Sequence, residues 1–192
     1  MTTYEFLFFN INAFLLLPEL TDLQRQDYVA VIHAYRQIVP VHCIGLCCQA
    51  ELRGYLTSVD FTPRGFDRLL WQLVSLRREL QLDFILLALD PQASPRLLWY
   101  QYCPLPHSYY GEVYVSCTEF WLKPDTGMIL TGVEQFGEKL GTTRSRCLLV
   151  GISELDRRLA ANAGIAYRSL TDPIHSQPVL PDPHEPTPLP GA

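Results

Sequence analysis

Two asparagines follow an apolar run near the start of the chain, at a position where α/β sheets usually carry their chemistry. The stretch reads FLFFNINAFLLL, residues 6 to 17, with Asn10 and Asn12 at its centre. Ligands of such sheets bind at the carboxyl ends of the strands. An amide, however, is neutral: it lacks the anionic oxygen of a nucleophilic carboxylate, and it cannot protonate a leaving group. The residue types leave two roles open for both asparagines, a bond to the next loop or contact with a ligand.

Cysteines and one histidine provide two further groups with reactive or metal-binding side chains. Cys103, His107 and Cys117 have the ligand types of a zinc site but lack an obvious fourth ligand. Cys47 and Cys48 are adjacent at the end of a predicted strand, and neighbours on a strand point to opposite faces, so they form a poor chelate. The six cysteines lack the dense spacing of a secreted scaffold. We expect reduced, structural thiols.

Alternating strands and helices must position these residues. Continuous apolar runs predict strands at residues 4–9, 41–47, 82–89, 146–152 and 165–170, and periodic segments predict helices at 23–39, 61–81, 123–141 and 153–164. This order predicts an α/β fold, Rossmann-like with three α/β/α layers and a mostly parallel sheet. We expect one domain over residues 1–172 and a disordered, proline-rich tail over 173–192.

Residues 91–121 form a long segment rich in aromatic residues and proline within this pattern. Aromatic residues are enriched in the cores of protein interfaces, so the segment is a candidate surface for a protein partner. The alternative is a hairpin packed on its own domain, with EVYVSCTEFW, residues 112–121, as one strand. The sequence leaves both open.

Charge and hydropathy exclude several classes of protein. The net charge is −5, which disfavours a nucleic-acid binder, because such a protein needs a basic face to displace counterions from phosphate. The apolar run to Leu17 is too short for a membrane span and contains two amides. The first residues, MTTYEF, lack the positive charge of a signal peptide. We expect a cytoplasmic protein without a membrane span.

Four segments, in order, resemble the motifs of the haloacid dehalogenase (HAD) superfamily, in its branch of histidinol phosphatases and heptose bisphosphate phosphatases. FLFFNINAFL stands where the family has a strand ending in Asp-x-Asp-Gly. CIGLCCQAELRGYLT resembles the second motif through Gln49, Arg53, Gly54 and Thr57, LKPDTGMI resembles the third, and CLLVGISELDRRLAANAGI resembles the fourth. The resemblance covers residues 4–171 and implies a HAD-like fold with a minimal cap.

The departures from the family pattern fall on the chemistry. Asn10 stands at the position of the nucleophilic aspartate, and Asn12 at that of the general acid and base. Cys47 matches the phosphate-binding threonine, and Ile152 matches an aspartate that binds the metal. Mg²⁺ requires hard oxygen ligands, preferably carboxylates, which these residues do not supply. The resemblance therefore implies Mg²⁺ only for an active phosphatase, and we expect no cofactor.

Lys123 and Asp156 are the family residues that persist. In the family the lysine contacts phosphate; here Lys123 could bind an anion or pair with Asp156. Asp156 could equally be an acid in the first turn of a helix, which the helix dipole favours.

Three functions remain open at the level of sequence. The first is a catalytically degenerate HAD-like protein, a pseudophosphatase with a binding, regulatory or assembly role and a protein partner at residues 91–121 or the tail. The second is a Mg²⁺-dependent phosphomonoesterase acting on a small phosphorylated metabolite. The third is a non-hydrolytic sensor of such a metabolite, with Lys123, Asn10 and Asn12 as its ligand-binding residues.

Overall fold

The computed structural model describes residues 4, 6–10, 22–38, 43–48, 63–88, 107–109, 112–116, 121, 125–137, 144–173, 178 and 180. In parts of the helices and in most of the second strand, only the backbone is described. The strands, in chain order, are β1 Phe6–Phe9, β2 Cys43–Cys48, β3 Phe84–Ala88, β4 His107–Tyr109, β5 Val113–Ser116, β6 Cys147–Gly151 and β7 Ala166–Ser169. The α-helices are α1 Asp22–Ile38, α2 Pro63–Glu79, α3 Gly127–Gly132 and α4 Glu154–Ala163.

One sheet contains all seven of these strands, in the order β4-β5-β3-β2-β1-β6-β7. Every neighbouring pair is parallel except β4 and β5, which form an antiparallel hairpin at one edge. β1 lies inside the sheet, paired with β2 on one side and with β6 on the other. The expectation of an α/β fold with a mostly parallel sheet is therefore confirmed.

Helices cover both faces of this sheet. Side chains of α1 and α2 join one core cluster with Leu7 and Phe9, and side chains of α3 and α4 join a second cluster with Phe6 and Phe8. The direction of winding gives the reason. The chain moves from β1 through β2 and β3 to β5, and then returns to β6 and β7 on the other side of β1. Because parallel crossovers are right-handed, reversing the direction places the later helices on the opposite face.

Residues of β1 explain why this strand is central. All four are buried, and they alternate between the two clusters, as the period of two requires. Phe6 and Phe8 contact Phe84 at ring-centroid distances of 5.6 and 5.9 Å. Complete burial of a large apolar side chain contributes roughly 1.5–3 kcal/mol. β1 therefore fixes the position of whatever follows it.

The hairpin β4–β5 is the described part of the aromatic segment at 91–121. Its second strand extends the parallel sheet beside β3, and Val113 and Val115 belong to the core. Trp121 is also buried, in the cluster that contains α3 and α4. The described residues thus follow the alternative of a packed hairpin. Residues 91–106 and 117–120 lie outside the described residues, and the partner surface stays a prediction for them.

The predicted helices and strands are found with adjusted ends. The helix predicted over 123–141 is α-helical at Gly127–Gly132 and continues as a π-helical turn over Val133–Gly137. Leu70, Leu73 and Leu76 form a buried face of α2, and Leu80, directly after the helix, is buried as well. The side chain of Cys147 is buried in the cluster that contains α3 and α4. Among the described helices, none combines the length and the apolar character that crossing a membrane requires.

Candidate functional site

The connectivity of the sheet reverses between the neighbouring strands β1 and β6, and the candidate site lies at their carboxyl ends. From β1 the chain proceeds to one side, and β6 begins the strands on the other side. Open parallel sheets bind ligands in the crevice outside such a reversal, beyond the carboxyl ends of the two strands. Asn10 follows β1, and residues 152–156 follow β6. The backbone N–H of Asn10 donates to the carbonyl of Val150 at 2.9 Å, which continues the pairing by one residue.

Asp156 is the central acidic group of this edge, and it caps α4. Ser153 is the N-cap residue: its hydroxyl accepts from the backbone N–H of Asp156, and Oδ2 of Asp156 accepts from the backbone N–H of Ser153 at 3.0 Å. The hydroxyl of Ser153 and the backbone N–H of Ile152 also donate to Oδ2, at 2.8 and 3.1 Å. This is a capping box, a favourable arrangement because a helix leaves its first N–H groups without partners. Asp156 is thus an acid in the first turn of a helix, which is one of the alternatives that the sequence left open.

The second carboxylate oxygen of Asp156 binds the side chain of Asn10. Nδ2 of Asn10 donates to Oδ1 at 2.5 Å, joining residues 146 positions apart. Asn10 is 2% exposed and Asp156 is fully buried. An ionised carboxylate only accepts hydrogen bonds, so the NH₂ end of the amide must face it. A bond of this kind to a charged group contributes roughly 1.5–3 kcal/mol. The amide thus gives a buried carboxylate the donor that its charge requires.

The amide oxygen of Asn10 faces away from this bond. Within the described residues, Oδ1 is buried and has no hydrogen-bond partner. Desolvating an acceptor without compensation costs roughly 1–3 kcal/mol. The two ends of the Asn10 amide therefore differ: the NH₂ group has a hydrogen-bond partner, whereas the oxygen has none among the described residues. The oxygen is the atom that a nucleophilic carboxylate would use at this position.

Gly151 and Tyr167 hold the turn that carries Asp156. A Cβ atom on Gly151 would lie 2.6 Å from Cβ of Asp156 and 2.7 Å from its Oδ2, so no larger residue fits there without displacing the carboxylate. The carbonyl of Gly151 accepts from the hydroxyl of Tyr167 at 3.2 Å and from the backbone N–H of Leu170 at 2.8 Å. The turn is therefore fixed from its far side by β7.

The surroundings of Tyr167 change the pKa of its phenol. Burial, followed by the negative charge of Asp156, raises the pKa of the Tyr167 phenol to about 12. Both causes disfavour the phenolate, because it would be poorly hydrated and would face a carboxylate. Tyr167 therefore remains a neutral hydrogen-bond donor to Gly151 at physiological pH.

The donor set around Asp156 does not fit Mg²⁺. The family resemblance implies this ion, which is bound by carboxylate oxygens in octahedral geometry. Oδ2 of Asp156 already accepts from three donors, and Oδ1 faces the NH₂ group of Asn10. Ile152 offers no ligand atom, and its side chain is 37% exposed. Hydrogen-bond donors approach both oxygens that a cation would have to bind, so the described residues do not fit this ion.

Several residues singled out in the sequence fall outside the described part of the chain. These are Asn12, Lys123, Cys103 and Cys117, whereas for Cys47, Cys48 and His107 the backbone alone is described. The zinc group, the phosphate contact of Lys123 and its pairing with Asp156 therefore stay predictions. Of the candidate site residues, the structure describes Asn10, Ile152 and Asp156 with their side chains and brings the first and third together.

Ser153, Gly151 and Tyr167 were absent from the sequence-based site. The stretch SELD, residues 153–156, has the spacing of a capping box, so the role of Ser153 was available from the sequence. Tyr167 left no comparable signal, because its bond to Gly151 requires β7 to lie beside β6.

Comparison with known proteins gives no relative: no family model, curated protein or solved structure matches the chain.

Proposed function

We propose that this chain is a catalytically degenerate HAD-like protein, a pseudophosphatase whose role is binding, regulation or assembly. The single observation that carries the proposal is the hydrogen bond from Nδ2 of Asn10 to Oδ1 of Asp156. It connects the position expected for the nucleophile with the retained acid of the fourth motif. The pair is complementary without any metal, which supports a site that has acquired a structural role.

The chemistry of Asn10 supports the same conclusion. Phosphoryl transfer to a carboxylate requires an anionic oxygen in line with the phosphorus. Asn10 has a neutral amide oxygen instead, and its NH₂ end is held by Asp156. Loss of the nucleophile alone lowers kcat by roughly 10⁶ in a well-studied hydrolase. The expected rate is therefore close to background even before the missing metal ligands are considered.

A HAD-like, Rossmann-type fold is part of this proposal. The parallel strand order and the reversal beside β1 are compatible with it. Under the proposal, a protein partner contacts the part of 91–121 outside the hairpin or the proline-rich tail.

Phosphatase activity is the direct test. Turnover of an aryl phosphate and a panel of sugar phosphates is measured with Mg²⁺ and with chelator, for the wild type and for Asn10→Ala purified in the same way. We expect equal, background rates for both proteins. Mg²⁺-dependent turnover that disappears in Asn10→Ala would overturn the proposal in favour of a phosphomonoesterase.

A thermal-shift screen with the same phosphorylated metabolites distinguishes a sensor from a partner-binding protein. A ligand that binds the native state alone raises the apparent stability, by about 2.7 kcal/mol at 100 times its Kd. Absence of any shift supports the partner-binding role. A saturable shift without turnover would replace that role with metabolite sensing.

A further inference from the structure

We infer that the outer face at the start of α4 is a docking surface for the proline-rich tail of the same chain, and that residues 180–185, LPDPHE, are the segment that binds there. The surface consists of Ile152, Leu155 and Arg158, and we call these three residues the α4 patch. The inference goes beyond the proposed function and is independent of it, because the contact requires neither the presence nor the absence of catalysis.

The α4 patch places two large apolar side chains in solvent. Leu155, in the first turn of α4, is 47% exposed, and Ile152, directly before the N-cap residue Ser153, is 37% exposed. Among the described residues, the other exposed large apolar side chains are Trp71 on α2 and Leu180 in the tail. Removal of apolar surface from water is favourable, so a segment with an apolar side chain gains by covering this pair.

Arg158 adds a positive charge to the patch. It is exposed and follows Leu155 by three positions, which places both residues on one side of the helix. Glu154, the exposed acid of this turn, pairs with Arg157 at 2.6 Å, so Arg158 remains available to another acidic group. The patch therefore matches a segment in which an acidic residue lies close to an apolar one.

The backbone adds hydrogen-bond donors to this surface. The N–H groups of Asp156 and Arg157 bind Ser153, whereas those of Glu154 and Leu155 have no acceptor among the described residues. Free N–H groups are usual in the first turn of a helix. A proline-rich segment complements them, because proline lacks an N–H group but keeps its carbonyl.

The segment 180–185 carries the matching groups. Leu180 is 66% exposed and supplies the apolar side chain. Asp182 and Glu185 supply negative charge, and residues 169–192 contain no lysine or arginine. The two prolines within the segment restrict its backbone, which lowers the entropy lost when the segment is ordered.

The chain leaves the sheet beside the α4 patch. Leu170, directly after β7, donates its N–H to the carbonyl of Gly151 at 2.8 Å, and Asp172 donates to the carbonyl of Ser169 at 3.1 Å, which forms a turn. The patch begins directly after Gly151, and neighbouring strands lie about 4.8 Å apart. An extended chain from residue 173 to residue 180 spans roughly 20 Å, at about 3.1 Å per residue. The connection is therefore long enough for the segment to reach the patch.

NMR spectroscopy of the full chain tests the contact. We expect nuclear Overhauser effects between the methyl groups of Leu180 and those of Ile152 or Leu155. Leu180→Ser should abolish them, and amide exchange at Glu154 and Leu155 should become at least about threefold faster, because carbonyl groups of the docked segment no longer protect these N–H groups. Leu189→Ser is the matched control: Leu189 also precedes a proline but lies outside the segment, so both readouts should stay at their wild-type values.

A charge exchange tests the ionic part of the contact. Arg158→Glu and Asp182→Lys should each lower the docking equilibrium constant roughly two- to fivefold, as expected for an exposed ion pair, and the double variant should recover most of the loss. The constant follows from amide exchange at Glu154, with Leu180→Ser as the undocked reference. Unfolding midpoints confirm that each variant keeps the fold.

Three results would overturn the inference. The first is the absence of contacts from Leu180 to the patch, with exchange at positions 154 and 155 unchanged in Leu180→Ser, as a disordered tail requires. The second is contact of Leu180 with a different surface. The third is a contact that disappears on dilution, which would assign it to a second copy of the chain. None of these readouts depends on turnover, so this inference and the proposed function can fail separately.

Discussion

Asp156→Ala is the substitution that tests the structural role of the site most directly. It removes both acceptor oxygens and leaves four donors without their acceptor: Nδ2 of Asn10, the backbone N–H groups of Ile152 and Ser153, and the Ser153 hydroxyl, which can rotate towards another acceptor. Each unsatisfied donor costs roughly 1–3 kcal/mol, and loss of the cap costs about 1 kcal/mol more. Water entering the vacated space offsets part of this. We expect a loss of about 3–5 kcal/mol, the range for breaking a buried charged interaction.

Asp156→Asn is the matched comparison, because it preserves volume. Its amide oxygen can still accept from the capping backbone, and the amide of Asn10 can rotate to offer its oxygen to the new NH₂ group. We expect a loss of about 1–2 kcal/mol, clearly less than for alanine. Urea unfolding followed by far-UV circular dichroism gives both values.

Two results would refute this reasoning. Asp156→Ala costing less than about 1 kcal/mol would mean that water replaces the carboxylate fully and that the pair with Asn10 stabilises little. Asp156→Asn costing as much as Asp156→Ala would mean that the charge, which both variants remove, and not the number of acceptors, governs the site.

Gly45→Ala places a Cβ atom 1.8 Å from the ring of Phe84, which is itself stacked on Phe136 with ring centroids 4.3 Å apart. We expect this variant to lose at least about 3 kcal/mol of unfolding free energy in urea, and the double variant Gly45→Ala/Phe84→Leu to recover part of it. A Gly45→Ala variant as stable as the wild type would contradict this packing. The pKa of Tyr167 is raised to about 12 in the folded protein, from an ordinary value of 10.0, so the phenol loses its proton at lower pH in the unfolded chain than in the folded one. The stability that this residue contributes is therefore complete below pH 10 and is lost as the pH rises towards 12. Urea midpoints on either side of pH 10 should fall less in Tyr167→Phe than in the wild type, and equal slopes would show that Tyr167 does not contribute.

The fold could be predicted where one face or both faces of an element are apolar over several residues. β1, β3 and β6 are continuous apolar runs, and α2 has a clear helical period, so both types were found. The predicted helix over 153–164 ends in a glycine, and Gly164 caps α4 in the left-handed conformation that favours this residue, with φ 67°. In these places local chemistry decides the structure.

Other features depended on contacts between distant residues. The hairpin β4–β5 has strands of three and four residues, too short to give a period, and its place beside β3 is set by packing. Asn10 was singled out at the end of an apolar strand and Asp156 through the family resemblance, but a bond between the two was not predicted. Their hydrogen bond requires β1 to lie beside β6, a neighbour relation that no local pattern encodes.

The central place of β1 has a consequence for the order of folding. Its residues pair with β2, which follows soon after, and with β6, where Phe6 faces Cys147 and Phe9 faces Val150. During synthesis, the β6 side of this apolar strand lacks its partner until residues 147–151 have been made. Pairings between such distant segments form slowly, and an exposed apolar strand edge invites aggregation. Nascent chains should therefore need protection at β1 until β6 emerges, and truncations that end before residue 147 should aggregate.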